Sequence, residues 1–336
     1  MKKMVTMQDI ADKMGVSKNS VYLALNDKPG VSALLKKQVL DTAAEMGYGT
    51  YYKGKTTSCV MVLIPAYLQG DMYFYSDIFL SIETEVKQSG YFPLNVVVTS
   101  QAEETLEMPA IPVDMELLGI LVVGILKNEY VQALRALNYP MVSVDIPYIR
   151  IPMTCVKSEN FAGGYEATQY LIRQGHKNIG FVGPVYSAQS VYERWCGYRQ
   201  AMDEQQLIVE EKWCVKGRRG KVDFFDTAQS LSDIMDKIED MPTAWFCAGD
   251  RIALAVINLM QRRGIQVPQD VSVMGFDDLP ISNMLLPRLS TMHVQRKTMG
   301  KLAVRTLLRE SDTEESAISI SLPCKLVERD SVAKLV

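Results

Sequence analysis

The sequence has no stretch long and apolar enough to cross a bilayer. Its longest apolar runs, CVMVLIPAYL (59–68) and LLGILVVGIL (117–126), are ten residues each. A membrane helix needs roughly 20, and both runs read as buried strands. The start, MKKMVTMQDIA, places two lysines before no apolar run, so no secretion signal is expected. The six cysteines are scattered without a C-x-x-C pair, which argues against a disulfide framework or zinc site and for reduced thiols in a cytoplasm. Of the two histidines, His176 falls in a helix-to-strand turn, and His293 has no cysteine or histidine neighbour with which to hold a metal. G-x-G-x-x-G, P-loop and G-x-S-x-G patterns are all missing. Neither an enzyme nor a cofactor is expected, and a membrane partner is not.

What is present is an ordinary globular composition, 48% hydrophobic and 22% charged, over 336 residues, a length that suits two or three domains. The charge is unevenly spread. Residues 1–57 carry nine lysines against five carboxylates, while the whole chain stands at −3. A small basic head on an acidic body is what a chain shows when only its head meets a polyanion. A solvated lysine-rich surface would give the same count.

The head is punctuated as three short helices. Thr6-x-x-Asp9 reads as a capped start, Gly15 as a break, Ser17 as a second cap and Ser32 as a third. Leu35, Val39, Ala43 and Met46 fall on one face of the last helix. Ala11, Gly15 and Val21 have the spacing of a helix-turn-helix: a small residue for close packing, a glycine for the tight turn, and a plug between the helices. The second helix then presents Ser17, Lys18, Asn19 and Tyr22 toward a major groove. The stretch IADKMGVSKNSVYLAL (10–25) contains no arginine.

Residues 5–48, VTMQDIADKMGVSKNSVYLALNDKPGVSALLKKQVLDTAAEMGY, resemble the headpiece of the lactose-repressor/galactose-repressor (LacI/GalR) family of transcription factors. The resemblance implies that Lys18 and Asn19 are the main base readers, with Tyr22 beside them. It places Thr6, Ser17, Ser20, Asn26 and Ser32 at phosphate-contacting or flanking positions. Leu23 stands where the family commonly has arginine. Arginine reads guanine through a fixed fork and lysine offers a rotating point charge, so the DNA site is expected to depend less on that guanine. Asn19 remains suited to a paired contact with adenine.

The family follows its headpiece with a proline and a helix that wedges a leucine into the minor groove. Here residues 49–57 read GTYYKGKTT, shorter, without leucine, and with two glycines that oppose helix. Either this is a plain tether or Tyr51 and Tyr52 stack in the leucine's place, and the tether is favoured. The expected division is a headpiece over 1–48, a linker over 49–57 and an effector-binding and dimerisation body over 58–336.

In the body, strand-like runs at 59–65, 93–98, 118–125, 141–145, 178–183, 243–247 and 271–276 alternate with amphipathic helices. Such alternation means parallel sheets covered on both faces, and this length means two lobes. Ligands of such sheets sit beyond the carboxyl ends of the strands, which singles out Asp145, Asp250 and the Asp277-Asp278 pair. Asp250 reads equally well as a helix cap. The family resemblance continues through SENFAGGYEATQYLIRQGHKNIGFVG (158–183), RWCGY (194–198), TAWFCAGDRIALAVINLMQRRGIQVPQDVSVMGFDD (243–278) and VERDS (327–331).

By that resemblance the body is a two-lobed, periplasmic-binding-protein-like α/β domain of type I whose cleft binds a small, often sugar-like effector. Asp145, Arg194 and Asp277 would be its polar clamps. Asp250 would be a further contact, and the aromatic run Tyr73-Phe74-Tyr75, Tyr73 and Phe74 above all, would form a stacking wall. The family's A-N-D is Ala248-Gly249-Asp250 here, so an amide is lost and the effector need not be a plain sugar. Lys157, Arg218 and Arg219 are a weaker pointer to an anionic ligand. The expectation is a cytoplasmic homodimer that binds a near-palindromic double-stranded operator under control of that ligand. The alternative is a ligand sensor whose DNA binding is weak or depends on a partner.

Overall fold

The computed structural model describes residues 5–25, 28, 30–46, 57–70, 73–217, 240–284, 286–310 and 317–335. Asn26, Tyr51 and Tyr52 with the linker from 49 to 56, and Arg218 and Arg219 lie outside them. The chain divides into a small unit, Met1–Ser58 with Ile111–Glu116, and a large one, Cys59–Ala110 with Leu117–Val336.

The small unit is three helices, α1 (Met7–Met14), α2 (Lys18–Leu25) and α3 (Ala33–Met46). Thr6 and Asp9 close a reciprocal box. The Thr6 hydroxyl accepts from the Asp9 backbone N–H, and the Asp9 carboxylate accepts from that of Thr6. Two donors that the helix start leaves open are thereby satisfied. Gly15 ends α1 at φ 66° and returns its N–H to the Ala11 carbonyl. The space around it is open, so the turn needs glycine for its backbone conformation rather than for room. Ser17 and Ser32 accept from the N–H groups of Ser20 and Leu35, as their spacing predicts. Ile10, Ala11, Val21, Ala24, Val39 and Ala43 close the core. Val21 is fully buried, the plug that the helix-turn-helix spacing called for.

The large unit holds two parallel sheets. The first is built from β1 (Thr57–Pro65), β2 (Phe92–Val98), β3 (Met115–Val123), β4 (Met141–Val144), β5 (Thr154–Ser158) and the late strand β11 (Ser319–Leu322), in the order β11-β5-β4-β3-β1-β2. The second orders β7 (Cys214–Val215), β6 (Ile179–Val182), β8 (Ala244–Cys247) and β9 (Ser272–Met274) as β7-β6-β8-β9. Strands β4, β6, β8 and β9 are buried along their whole length, as parallel strands covered on both faces must be. No helix among the described residues is long and apolar enough to cross a membrane.

The chain passes between the lobes three times. It leaves the first after β5 and enters the second through α7 (Asn160–Arg173). It returns through β10 (Thr291–His293) to α10 (Arg296–Glu310), having formed α8 (Gln189–Glu204) and α9 (Asp250–Arg262) on the way. After β11 it crosses again through β12 (Lys325–Val327), which pairs antiparallel with β10. The final residues rejoin the second lobe, where His176 lies between the Thr243 hydroxyl and the Ala333 carbonyl. These contacts give it a structural role, and burial lowers its pKa.

One crossing of helices sets up the site. Gly164 of α7 and Gly197 of α8 face each other so closely that a Cβ on either would fall inside the partner backbone, at the Arg194 and Phe161 carbonyls respectively. This contact fixes α8, and α8 carries Arg194.

Candidate functional site: a groove-reading edge and an interlobe cleft

On the small unit, Ser17, Lys18, Asn19 and Tyr22 are exposed along the start of α2, and Ser20 is half-buried behind them. The Ser17 and Ser20 hydroxyls lie 2.9 Å apart. Lys28 stands 5.5 Å above the Tyr22 ring, a cation–π placement. Leu23 is half-buried, and Gly30 lies so close to it that a Cβ there would come within 3.0 Å of its side chain. The Thr6, Ser17 and Ser32 hydroxyls are spent on helix caps, so each positions a helix start and its backbone N–H groups. An exposed lysine, amide and aromatic on one short helix offer a point charge for phosphate, a bidentate edge for a base and a flat apolar face.

In the large unit a cavity of about 480 Å³ opens between the lobes, beyond the carboxyl ends of both sheets. Three charged side chains make its floor. Asp145 follows β4 at φ 75°, and Asp277 follows β9 at φ 109°. A non-glycine residue in that region costs of order 1–3 kcal/mol and tends to occur where function needs it. Asp145 accepts a hydrogen bond from the Tyr75 hydroxyl at 3.0 Å through Oδ2. Its Oδ1 is buried with no hydrogen-bond partner.

Arg194 is held at three points. Its Nε donates to Asn160 at 2.9 Å, its Nη1 donates to the Ala248 carbonyl, and its guanidinium lies 3.8 Å over the Phe276 ring. Nη1 is also 3.1 Å from Asp277 Oδ1. The two form a buried ion pair, although Asp277 Oδ1 accepts no hydrogen bond. Burial pushes the Asp277 carboxyl up to about 7, against the pull of Arg194 and with the neighbouring Asp250 and Asp145 adding to the rise. Asp145 is likewise raised, chiefly by burial. The floor therefore offers one unpartnered acceptor oxygen, Asp145 Oδ1, and a second, Asp277 Oδ1, that is ion-paired with the fixed guanidinium but accepts no hydrogen bond.

The structure corrects three expectations for this site. Asp250 does not line the cleft. Its carboxylate accepts from the Leu279 N–H and from the Ser282 and Thr291 hydroxyls at 2.5–2.7 Å, tying the start of α9 to the segment after β9. Nor is it the helix cap, since Gly249 occupies that position. Burial raises it to about 6 despite those three hydrogen bonds. Tyr73 stands outside the cavity, 59% exposed, with its ring 5.6 Å from Arg251. The aromatic wall is instead Phe74, Tyr75 and Tyr67. Lys157 pairs with Glu193 at 2.7 Å and does not line the cleft.

Tyr67, Ser190 and Arg251 were not foreseen. Tyr75, the last member of the expected aromatic run, directly precedes α4 (Ser76–Gln88).

Residues 6–50 match the family described as "Bacterial regulatory proteins, lacI family", and residues 168–332 match the periplasmic binding protein-like domain. The chain thus carries a lacI-family head and a periplasmic-binding-protein-like body. The HTH-type transcriptional repressor PurR of Vibrio campbellii is 28% identical over 337 residues, covering 99% of this chain and 100% of that protein. PurR of Actinobacillus pleuropneumoniae serotype 3 is 28% identical over 344 residues, covering 99% of each. Among solved structures, a lac repressor dimer bound to operator and the anti-inducer ONPF superposes with TM-score 0.71 at 22% identity, covering 98% of this chain and 100% of that one. The regulator CelR in complex with cellobiose superposes with TM-score 0.70 at 22% identity, covering 97% and 99%. The lacI-family head and the two-lobed body thus recur together over the length of these relatives. Among the described residues no group of side chains is arranged to hold a metal ion.

Proposed function

We propose that this lacI-family chain is a ligand-responsive transcriptional repressor. Its head, residues 1–48, binds a near-palindromic operator as part of a homodimer. Its body, residues 58–336, takes a small molecule into the interlobe cleft, and the ligand acts by favouring one arrangement of the lobes over another. The two-fold arrangement is carried over from the lac repressor dimer bound to its operator. A repressor works where the chromosome is, hence in the cytoplasm. Residues 49–57 act as a tether, leaving the spacing of the two heads loosely set.

The observation that carries this reading is the exposed Lys18, Asn19 and Tyr22 edge on the second helix of a capped helix-turn-helix, in one chain with a cleft whose buried acceptor oxygens on Asp145 and Asp277 accept no hydrogen bond. Selection from a pool of random duplex DNA at near-physiological salt, run in parallel with wild type and Asn19→Ala, tests it. The wild type should retain paired half-sites containing an adenine that Asn19→Ala no longer requires, a loss of about 1–3 kcal/mol of discrimination at that base. Retention of the same sequences by both proteins would remove Asn19 from the reading surface. No enrichment by either would overturn the assignment as a sequence-specific repressor.

A further inference from the structure

Above its charged floor the cleft is mainly apolar, with the hydroxyls of Ser187, Ser190, Tyr67 and Tyr75 as its uncharged polar side-chain groups. Leu68, Phe74 and Ile125 face it from the first lobe, and Val191, Ile252 and Leu279 from the second. Gly249, where the family resemblance predicts an amide, contributes no side chain, and the nearest atom to a Cβ built there is Asp277 Oδ2 at 3.2 Å. A free sugar carries hydroxyls on every edge. Between these walls most would be desolvated without partners, at roughly 1–3 kcal/mol each. The volume of about 480 Å³ is within the roughly 300–1,000 Å³ of pockets that hold drug-sized ligands.

Charge narrows the choice further. The lining carries two acidic groups, Asp145 and Asp277, and two guanidiniums, Arg194 and Arg251, so it has no formal excess of either sign. A phosphate or carboxylate on the ligand would meet Asp145 Oδ1, which has no partner, and Asp277 Oδ1, which is ion-paired with Arg194 but accepts no hydrogen bond. Those atoms call for hydrogen-bond donors. Asp145, only 4% exposed, has no other group to supply one to its Oδ1.

We infer that the cleft selects an uncharged amphiphile, with an adjacent pair of hydroxyl or ring N–H donors at one end and a flat, apolar aromatic or heteroaromatic body at the other. The donors meet Asp145 and Asp277, and the body lies against Phe74 between the aliphatic walls. This inference rests on the reading of the cleft as the effector site.

The test is a binding panel on the full chain, read by saturation-transfer NMR and titration calorimetry. It comprises 2,3-dihydroxynaphthalene and benzimidazolone as uncharged donor-bearing aromatics, glucose, ribose and myo-inositol as polyols, and 3-hydroxy-2-naphthoate and glucose 6-phosphate as anions. The uncharged aromatics should bind at least tenfold more tightly than either other group. Asp145→Asn, nearly isosteric, should weaken them at least tenfold. Gly249→Asn, at an extended N-cap whose backbone suits any residue and where the Asp277 side chain need shift only slightly, should move the preference toward the polyols.

Polyols or anions binding as tightly as the aromatics would overturn the inference, as would aromatics that fail to bind or that ignore Asp145→Asn. A polyol that binds and alters operator affinity would sink the inference and keep the repressor reading. An aromatic that binds in the cleft and leaves operator affinity unchanged would do the reverse.

Discussion

Arg194 has the most demanding position of any side chain in the cleft. It is 5% exposed and lies beside the Asp277 carboxylate, above an aromatic ring. Removing one member of a buried pair leaves the other uncompensated and typically costs about 3–5 kcal/mol. Arg194→Leu should therefore lower the denaturation midpoint measurably in urea unfolding, and Arg194→Lys should recover part of the stability without the three-point geometry. The buried aspartates make a second residue-level expectation. Asp277 at about 7 and Asp250 at about 6 lie above the unfolded carboxylate value of roughly 3.9. A raised group stabilises fully below the unfolded value and loses that contribution as pH rises through the folded one. Stability should thus decline between about pH 4 and 7 on their account, and Asp277→Asn should flatten the decline in a pH series of thermal melts. Asp278 works in the opposite sense. Although burial opposes it, hydrogen bonds from Arg329 and His293 hold its carboxyl below the usual range, so its contribution is lost as pH falls below about 4.

Among the secondary-structure elements, the crossing of α7 and α8 is where sequence controls the site from a distance. Gly197→Ala would drive a methyl into the Phe161 carbonyl and the Tyr165 N–H, forcing the helices apart. Overpacking of this kind costs about 1–3 kcal/mol, and moving α8 moves Arg194. Gly197→Ala should therefore lower both the unfolding midpoint and ligand affinity, by chemical denaturation and calorimetry. At the head, Thr6→Ala should cost about 1 kcal/mol by loss of the cap, read as faster amide exchange in α1 of the full chain. The elements most legible in the sequence were those with one dominant signal. The capped helices of the head follow from Thr6, Ser17 and Ser32, and the buried strands from their apolar runs. Strand β5 was missed because Thr154 and Lys157 interrupt its apolar pattern. Strand β11, SISL, was missed because it alternates between exposed and half-buried residues. Asp145, Asp277 and Asp250 share one signature, a polar residue after an apolar run. Only tertiary packing separates the two that face the cavity from the one that ties α9 to Ser282 and Thr291.

For the large unit as a whole, the segments between the lobes are cross-tied close to the cleft floor. Arg296, at the start of α10, donates to the Asp277 and Asp278 carbonyls and pairs with Asp77 of α4 at 3.3 Å. Asp278 binds Arg329 at 2.7 Å and His293 at 2.9 Å, joining two of the three crossings. A ligand that occupies Asp277 therefore touches a residue whose own backbone is tied to the first lobe and whose neighbour anchors both returning segments. Differential binding to two lobe arrangements is the only means by which a cleft ligand can alter the head's affinity. The decisive measurement is fluorescence anisotropy of the selected operator with the full chain, with and without saturating cleft ligand, alongside Asp145→Asn as a control. Coupling of about 1–3 kcal/mol would appear as a 5–150-fold change in operator affinity, abolished in the control. An identical affinity in both conditions, with the ligand demonstrably bound, would contradict the account of a ligand-responsive repressor.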